Sequence, residues 1–239
     1  MNEQIAKLKE WIAESDNVVF FGGAGVSTES GIPDFRSVDG LYNQKYAFPP
    51  EEIISHSFFM HNPEEFYRFY RDKLVPADTV EPNAAHRRLA ELEAEGKLRA
   101  VITQNIDGLH QKAGSQRVIE LHGSVHRAYC ASCYKPYPAK YINEGRGIPR
   151  CTCGGIVRPD VVLYEEALDE KNINDAVALI RRAEVLIVGG TSLNVYPAAG
   201  LLHYYLGSKL VLVNLSETPF DERADLVIHE KLGQVFSQL

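Results

Sequence analysis

Residues Val18–Arg36 read VVFFGGAGVSTESGIPDFR, and this stretch decides the fold. The four apolar residues Val18–Phe21 predict a buried parallel strand that ends at Gly22. The turn that follows, Gly23–Thr28, begins like a dinucleotide fingerprint, with Thr28 in the place of the third glycine. Glycine is expected there because phosphate oxygens must approach backbone N–H groups closely and a Cβ would obstruct them. A tight turn without a ligand is the alternative, and these residues alone leave it open.

The composition is that of an ordinary globular protein, with 239 residues, 45% hydrophobic and 24% charged. A net charge of −7 argues against binding to a nucleic-acid backbone. No apolar run approaches the roughly 20 residues needed to cross a bilayer, and Met1–Gln4 show no secretory pattern. We therefore expect a cytoplasmic protein with no nucleic-acid or membrane partner. The oligomeric state stays open, a monomer included.

Strand and helix patterns alternate through most of the chain, which predicts a doubly wound, Rossmann-like parallel α/β sheet. The later strands are predicted at 100–103, 118–121, 161–164, 185–188, 210–213 and 226–228, and helices at 63–74, 83–96, 172–182 and 197–206. Polar residues follow several strands, namely Gln104–Asp107, His122, Gly190–Ser192 and Asn214. Ligands of open parallel sheets bind beyond the carboxyl ends of the strands, so we expect the site at that edge.

Two insertions are expected to form a smaller unit beside this sheet. The first begins in a loop rich in Gly, Pro, Asn and Tyr after residue 37. We predict that residues 1–37, 81–127 and 156–239 form the dinucleotide-binding domain. Residues 38–80 and 128–155 then form a small domain with a helical part and a cysteine-bearing module.

The four cysteines lie in two pairs, Cys130–Cys133 and Cys151–Cys153, separated by 17 residues. Two close pairs of thiolates predict a tetrahedral zinc site, structural because no position stays open for water. The second pair is C-x-C, one residue shorter than usual, but Gly154 and Gly155 can turn freely after it. Reduced or disulfide-bonded cysteines are the alternative, which a reducing compartment disfavours.

His122 is the candidate for proton transfer, because histidine titrates near neutral pH. It ends a predicted strand and precedes Gly123, which leaves space for a ligand. The alternative is a structural histidine. Gln104–Asp107 offers two amides and a carboxylate that suit ribose hydroxyls and a carboxamide, although turn formation would explain the same residues.

Taken together, GAGVSTESGIPDFRS, QNIDGLH, LHG, GTSLNVYP and VNLSETPFD resemble the sirtuins, the NAD-dependent protein deacylases, in order and over nearly the whole chain. Two departures are Gly22, where the family usually has Thr, and Glu165, where it normally has Gly. The resemblance implies NAD as co-substrate, acetyl-lysine proteins or peptides as partners, and a structural zinc held by Cys130, Cys133, Cys151 and Cys153.

The resemblance also implies roles for single residues. His122 would be the general base, with Asn105 holding the ribose or an ordered water, and Phe35 would shield the site from water. The residues implied to contact NAD are Gly23, Ala24, Gly25, Thr28, Asp34, Phe35, Arg36, Gln104, Ile106, Asp107, Gly190, Thr191, Ser192, Asn214, Leu215 and Lys231. Those implied to pair with the substrate peptide are Val161, Val162, Leu163 and Tyr164.

The implied reaction transfers the acetyl group of acetyl-lysine to ADP-ribose and releases nicotinamide. A dehydrogenase is disfavoured, because the acidic residue expected about 20 residues after the glycines falls among Asn43–Tyr46, with no second strand before it. Protein ADP-ribosyl transfer and non-catalytic NAD or ADP-ribose sensing stay open. Desuccinylating members carry Tyr-x-x-Arg on a helix at the acyl pocket, where this chain has Tyr67 and Tyr70, so we expect uncharged acyl groups.

Overall fold

The computed structural model describes residues 2–35, 40–43, 46 and 48–239. The strands are β1 (Val18–Gly22), β2 (Leu98–Thr103), β3 (Val118–Glu120), β4 (Gly123–Cys130), β5 (Pro136–Pro138), β6 (Val157–Val161), β7 (Val185–Gly189), β8 (Leu210–Val213) and β9 (Leu226–Ile228). The α-helices are α1 (Glu3–Glu14), α2 (Pro50–Ile53), α3 (His56–His61), α4 (Pro63–Phe69), α5 (Ala84–Ala94), α6 (Leu109–Lys112), α7 (Lys140–Asn143), α8 (Glu170–Arg182) and α9 (Leu232–Phe236). None of the described helices has both the length and the apolar character that a membrane crossing requires.

The main sheet places its first strand in the middle. Among the described residues its order is β3-β2-β1-β7-β8-β9, and every neighbouring pair is parallel. The chain order reverses between β1 and β7, which is the topological switch point of a doubly wound sheet. The predicted fold class is therefore confirmed.

Alternate residues of β1 enter two separate cores, because side chains along a strand point to opposite faces. Val18 and Phe20 pack with residues of α1, α5 and α9 on one face. Val19 and Phe21 pack on the other face with residues of α8 and of the 3₁₀ helix Ala198–Tyr204. Both faces of the central strand are thus covered, as a parallel sheet requires. That 3₁₀ helix lies within the helix predicted over 197–206.

The second sheet is small and antiparallel, with order β5-β4-β6 in the described chain. The prediction of a strand at 161–164 is wrong in position, because β6 runs over Val157–Val161. Tyr164 instead forms an isolated bridge with Ser55. Pro159 lies inside β6, and such a proline is tolerated because β6 is an edge strand of this sheet. The small sheet thus reaches beyond residues 128–155, while the domain boundaries themselves stay a prediction.

An aromatic cluster joins the inserted helices to the small sheet. Phe59 and Phe66 meet edge to face with ring centroids 4.9 Å apart, and Phe66 meets Tyr67 at 5.3 Å. The Tyr67 hydroxyl donates to the Val157 carbonyl of β6 at 2.7 Å. The helices and the cysteine-bearing sheet therefore share one apolar core.

Two histidines are buried together beneath the main sheet. His86 and His110 are 0% and 1% exposed, with ring centroids 4.7 Å apart. Nδ1 of His86 lies 3.3 Å from the Asn83 N–H and completes the capping box of α5. Burial lowers the pKa of His86 to about 4 and holds the pKa of His110 well below its usual range. Both rings are therefore neutral in the fold.

We predict that stability falls as the pH drops from the ordinary histidine pKa near 6.5 towards the folded value of about 4. Between these two pH values the unfolded chain binds more protons than the folded chain. The stability that neutral His86 contributes is therefore complete above this range and is lost on acidification. At about pH 5 the loss attributable to His86 is about 2 kcal/mol of unfolding free energy.

The measurement is urea unfolding of the wild type, His86→Gln and His61→Gln at neutral pH and at about pH 5. Glutamine at this position retains the capping box without titrating, so His86→Gln should show a weaker pH dependence. His61, which is exposed, serves as the control and should leave the dependence unchanged. An unaltered pH dependence in His86→Gln would contradict the prediction.

Candidate functional site

Two glycine turns approach each other at the switch point between β1 and β7. The Gly25 N–H donates to the Gly190 carbonyl at 2.8 Å, and the Gly23 N–H donates to the Gly189 carbonyl at 3.2 Å. A Cβ on Gly25 would lie 2.8 Å from the Gly190 Cα, and one on Gly190 (φ +60°) would lie 2.4 Å from the Val26 nitrogen. Close backbone contact alone therefore requires glycine at Gly25 and Gly190. This requirement is separate from the close approach of phosphate oxygens that the sequence predicted.

A buried serine links the glycine turn to the end of β2. The Ser27 hydroxyl donates to Oδ2 of Asp107 at 2.7 Å and accepts from Nδ2 of Asn105 at 3.1 Å. Nε2 of Gln104 donates to Oγ1 of Thr191 at 3.1 Å, which joins the ends of β2 and β7. Ser27 was not among the predicted site residues, although its position within the Gly23–Thr28 turn was an available signal.

Asp107 is the acidic group of this cluster. Burial raises the pKa of its carboxyl group, and hydrogen bonds from the Leu109 N–H and the Ser27 hydroxyl oppose that shift. Its backbone carbonyl lies 2.9 Å from Nε2 of His126, whose ring covers Gly108. A Cβ on Gly108, where φ is +73°, would come within 2.5 Å of that ring.

His122 lies just beyond β3 and faces the end of β2. Its Nδ1 is 2.8 Å from the Gln104 carbonyl oxygen. A carbonyl can only accept, so the Nδ1 proton is fixed and neutral His122 presents Nε2 as an acceptor. Burial lowers the pKa of His122, against the hydrogen bond to Gln104, which raises it. The ring therefore has the protonation state of a base.

Gly123 has a different role from the one expected. A Cβ at this position, where φ is +76°, would lie 2.0 Å from the Asp160 carbonyl oxygen. The space beside Gly123 is therefore taken by β6 and is not free for a ligand.

The predicted peptide-binding segment, residues 161–164, runs next to His122. The Val162 N–H donates to the His122 carbonyl at 3.0 Å, and the Tyr164 N–H donates to the Ile54 carbonyl at 3.0 Å. The Leu163 N–H donates to the Glu166 carboxylate at 2.9 Å. Three of the four N–H groups of the segment are thus engaged within the fold, and a peptide strand could use them only after displacing these partners.

Glu165 adopts a backbone conformation that glycine would favour, with φ at +74°. Its carboxylate accepts from both the N–H and the hydroxyl of Ser57 at 2.9 Å. These bonds at the start of α3 compensate for the conformation, which explains how glutamate occupies the position.

Asp34 and Phe35, called the Phe35 loop below, are hydrogen-bonded through their backbone to Leu41 and Tyr42. The Leu41 N–H donates to the Asp34 carbonyl at 2.9 Å, and the Tyr42 N–H donates to the Phe35 carbonyl at 2.8 Å. The ring centroids of Phe35 and Tyr42 are 5.4 Å apart. Arg36 lies outside the described residues, so its implied role stays a prediction.

The other predicted NAD contacts are less enclosed. Asn214 follows β8, and its Nδ2 donates to the Ser216 carbonyl at 2.7 Å. Leu215 is 62% exposed, and Lys231 is exposed just before α9. Glu29 accepts from the Gly233 N–H at 2.6 Å and so ties the glycine turn to α9. Half-buried Ala24, Ile106 and Ser192 and exposed Thr28 complete this edge.

The donor set fits a dinucleotide. One sheet edge gathers hydroxyls from Ser27 and Thr191, amides from Gln104 and Asn105, and a neutral imidazole from His122. Ribose hydroxyls and a carboxamide need such paired donors and acceptors. The individual NAD and peptide contacts stay predictions.

The cysteine cluster has the geometry of a four-thiolate metal site. The four Sγ atoms lie within 4.8 Å of one another, with Cys130–Cys153 at 3.5 Å and Cys133–Cys151 at 3.6 Å. A tetrahedral zinc with Zn–S bonds of about 2.3 Å separates its sulfurs by about 3.8 Å, so the cluster fits zinc. Gly154, with φ at +86°, forms the turn that the short second pair needs.

The metal site and His122 lie at opposite ends of the small sheet. Cys130 ends β4 and Gly123 begins it, and their partners in β6, Val157 and Val161, are four residues apart, a separation of about 13 Å along the strand. The cluster therefore has a structural place in the small sheet.

Comparison with known proteins gives consistent matches. The model of the Sir2 family matches residues 23–197. A protein of Clostridium perfringens (strain 13 / Type A) named NAD-dependent protein deacetylase is 58% identical over 243 residues, which covers 100% of this chain and 99% of that protein. A Sir2 structure with deacetylated p53 peptide and 3′-O-acetyl ADP-ribose has a TM-score of 0.91 at 42% identity, and one with p53 peptide and NAD⁺ has 0.88 at 42%. Both cover 98% of this chain and 96% of theirs, and the predicted family is confirmed.

We predict that Cys151→Ser abolishes stoichiometric zinc and lowers the melting temperature, because a four-thiolate zinc contributes folding free energy directly. Zinc content is measured by atomic emission and melting by circular dichroism. Thr152→Ala, which changes the residue between two of the cysteines, should retain both the metal and the melting temperature. Unchanged metal and melting in Cys151→Ser would refute the site.

Proposed function

This chain belongs to the Sir2 family, and from that premise we propose that it is an NAD-dependent protein lysine deacetylase. The acetyl group of acetyl-lysine is transferred to ADP-ribose, and nicotinamide is released. The observation that carries the proposal is His122, whose Nδ1 is fixed by the Gln104 carbonyl and whose Nε2 can accept a proton. A base in this state, beside a glycine turn at the switch point, suits removal of a proton from a ribose hydroxyl.

NAD would supply the sugar carbon that the acyl oxygen attacks as nicotinamide leaves, and the ribose hydroxyl that finally carries the acetyl group. The residues proposed to hold it are those of the two glycine turns, the ends of β2 and β8, and the Phe35 loop. Asn105, positioned by Ser27, would orient the ribose or a water molecule. Phe35 would exclude water from a reacting carbon that hydrolyses readily.

The zinc contributes to the fold and takes no part in the reaction on this proposal. The inserted helices and the cysteine-bearing module form the proposed small domain, and residues 161–164 face the substrate peptide. We also propose a cytoplasmic location, since four clustered thiols suit a reducing compartment.

The acyl preference follows from side chains near the inserted helices. Tyr67 and Tyr70 are buried, and the Tyr67 hydroxyl donates a hydrogen bond to the Val157 carbonyl. Arg68 pairs with Glu65 at 2.5 Å. Arg71 donates to the carbonyls of Ile142 and Gly147 at 2.7 and 2.8 Å. Both arginines are thus engaged elsewhere, and we propose that the enzyme accepts uncharged acyl groups.

The function is tested by mass spectrometry of an acetyl-lysine peptide incubated with the protein, with and without NAD. We expect loss of the acetyl group only with NAD, matched by nicotinamide release. His122→Ala should slow the reaction by about 10²- to 10⁴-fold, because the base is lost. The matched control is His203→Ala, an exposed histidine that bonds Arg223, which should react like the wild type.

Other outcomes identify the alternatives. Labelled ADP-ribose remaining on protein would indicate ADP-ribosyl transfer. Tight NAD or ADP-ribose binding without nicotinamide release from any acyl-lysine peptide would indicate a sensor. Either result in place of deacetylation would overturn the proposal.

We predict that a succinyl-lysine peptide reacts at least tenfold more slowly than a butyryl-lysine peptide of the same sequence. The two acyl chains have similar length, but a carboxylate without a cationic partner is costly to remove from water. Rates are compared as kcat/KM at saturating NAD. Equal or faster turnover of the succinyl peptide would contradict the prediction.

A further inference from the structure

We propose that the hydrogen bond between the hydroxyls of Tyr42 and Tyr164 is a positioning contact that couples the Phe35 loop to the peptide-binding segment. The two oxygens are 2.7 Å apart and join residues 122 positions apart in the chain. Peptide binding would then strengthen NAD binding through this pair. The inference rests on the proposed function, which assigns Phe35 to NAD and residues 161–164 to the peptide.

Tyr42 is held firmly on the cofactor side. Its N–H donates to the Phe35 carbonyl at 2.8 Å, and its ring lies 5.4 Å from the Phe35 ring. The Leu41 N–H also donates to the Asp34 carbonyl, so two backbone hydrogen bonds connect Leu41 and Tyr42 to Asp34 and Phe35. The placement of Tyr42 therefore sets the placement of Phe35.

Tyr164 is held firmly on the peptide side. Its N–H donates to the Ile54 carbonyl, and its carbonyl accepts from the His56 N–H, both at 3.0 Å. The next two residues are also held, because Glu165 accepts hydrogen bonds from Ser57 and Glu166 accepts from Arg158. The backbone is thus anchored, while the Tyr164 side chain stays 37% exposed and reaches the Phe35 loop through its hydroxyl.

The hydroxyl hydrogen bond connects the element proposed to bind NAD with the element proposed to bind the peptide. If each ligand orders the element that it binds, ordering one element through this hydrogen bond favours the ordered state of the other. Linkage requires this effect to be reciprocal, so peptide should tighten NAD binding by the factor with which NAD tightens peptide binding. A hydroxyl hydrogen bond of ordinary strength corresponds to about a three- to tenfold change in such an equilibrium.

The experiment measures the affinity for a carbocyclic NAD analogue, which cannot lose nicotinamide, by calorimetry with and without an acetyl-lysine peptide. The variants are Tyr42→Phe, Tyr164→Phe and the double variant. The matched control is Tyr141→Phe, because the Tyr141 hydroxyl donates at 2.7 Å to the Arg150 carbonyl and the side chain is 42% exposed. Melting temperatures verify that all variants fold.

In the wild type and in Tyr141→Phe, we expect the peptide to tighten analogue binding by the same factor. In Tyr42→Phe and Tyr164→Phe that factor should fall about three- to tenfold, and the double variant should fall no further. The proposal is overturned if the wild type shows no tightening, or if either single variant retains the full factor.

Turnover of the acetyl-lysine peptide by the wild type is measured beside the binding. Turnover with unchanged coupling in the variants would refute the hydroxyl contact and leave the proposed function standing. Absence of turnover in the wild type would refute the proposed function whatever the coupling.

Discussion

The site depends on the close approach of two backbone turns, Gly23–Gly25 and Gly190. At separations under 3 Å for a hypothetical Cβ, no side chain can stand between β1 and β7 at their carboxyl ends. The turn after β1 is thereby held against the end of β7, and the hydroxyl of Ser27 is carried towards Asn105 and Asp107. The same contact connects the ends of β2 and β7 through Gln104 and Thr191. The polar side chains therefore meet where these two turns touch.

The tautomer and the protonation state of the His122 imidazole are set by its neighbours at this edge of the sheet. A carbonyl from the end of β2 fixes which nitrogen bears the proton, and partial burial favours the neutral ring. His86 and His110 are buried as well, yet they lie beneath the sheet, where their neutrality affects stability. Burial alone therefore does not distinguish the proposed base from a structural histidine. Position at the carboxyl edge of the sheet does.

Much of this was predictable from sequence, because the strands of the main sheet are short apolar runs with polar residues at their ends. The strands at 210–213 and 226–228 were placed with their observed bounds. β6 was misplaced because Pro159 interrupts its pattern, and only the sheet shows that it is an edge strand. Contacts between distant residues, such as Ser27 with Asp107 and Tyr42 with Tyr164, were beyond local patterns. Gly123 was noticed for the wrong reason, since the carbonyl that excludes a side chain there comes from Asp160, far along the chain.

Glu165 and Ser57 have a consequence for how this sequence can diverge. A left-handed glutamate is tolerated here because the Ser57 N–H and hydroxyl hold its carboxylate. Glycine would adopt the same backbone conformation without that support. We therefore expect the two positions to be epistatic in this chain, so that the order of mutations matters. Glycine can replace Glu165 before Ser57 drifts, whereas the reverse order passes through a strained intermediate.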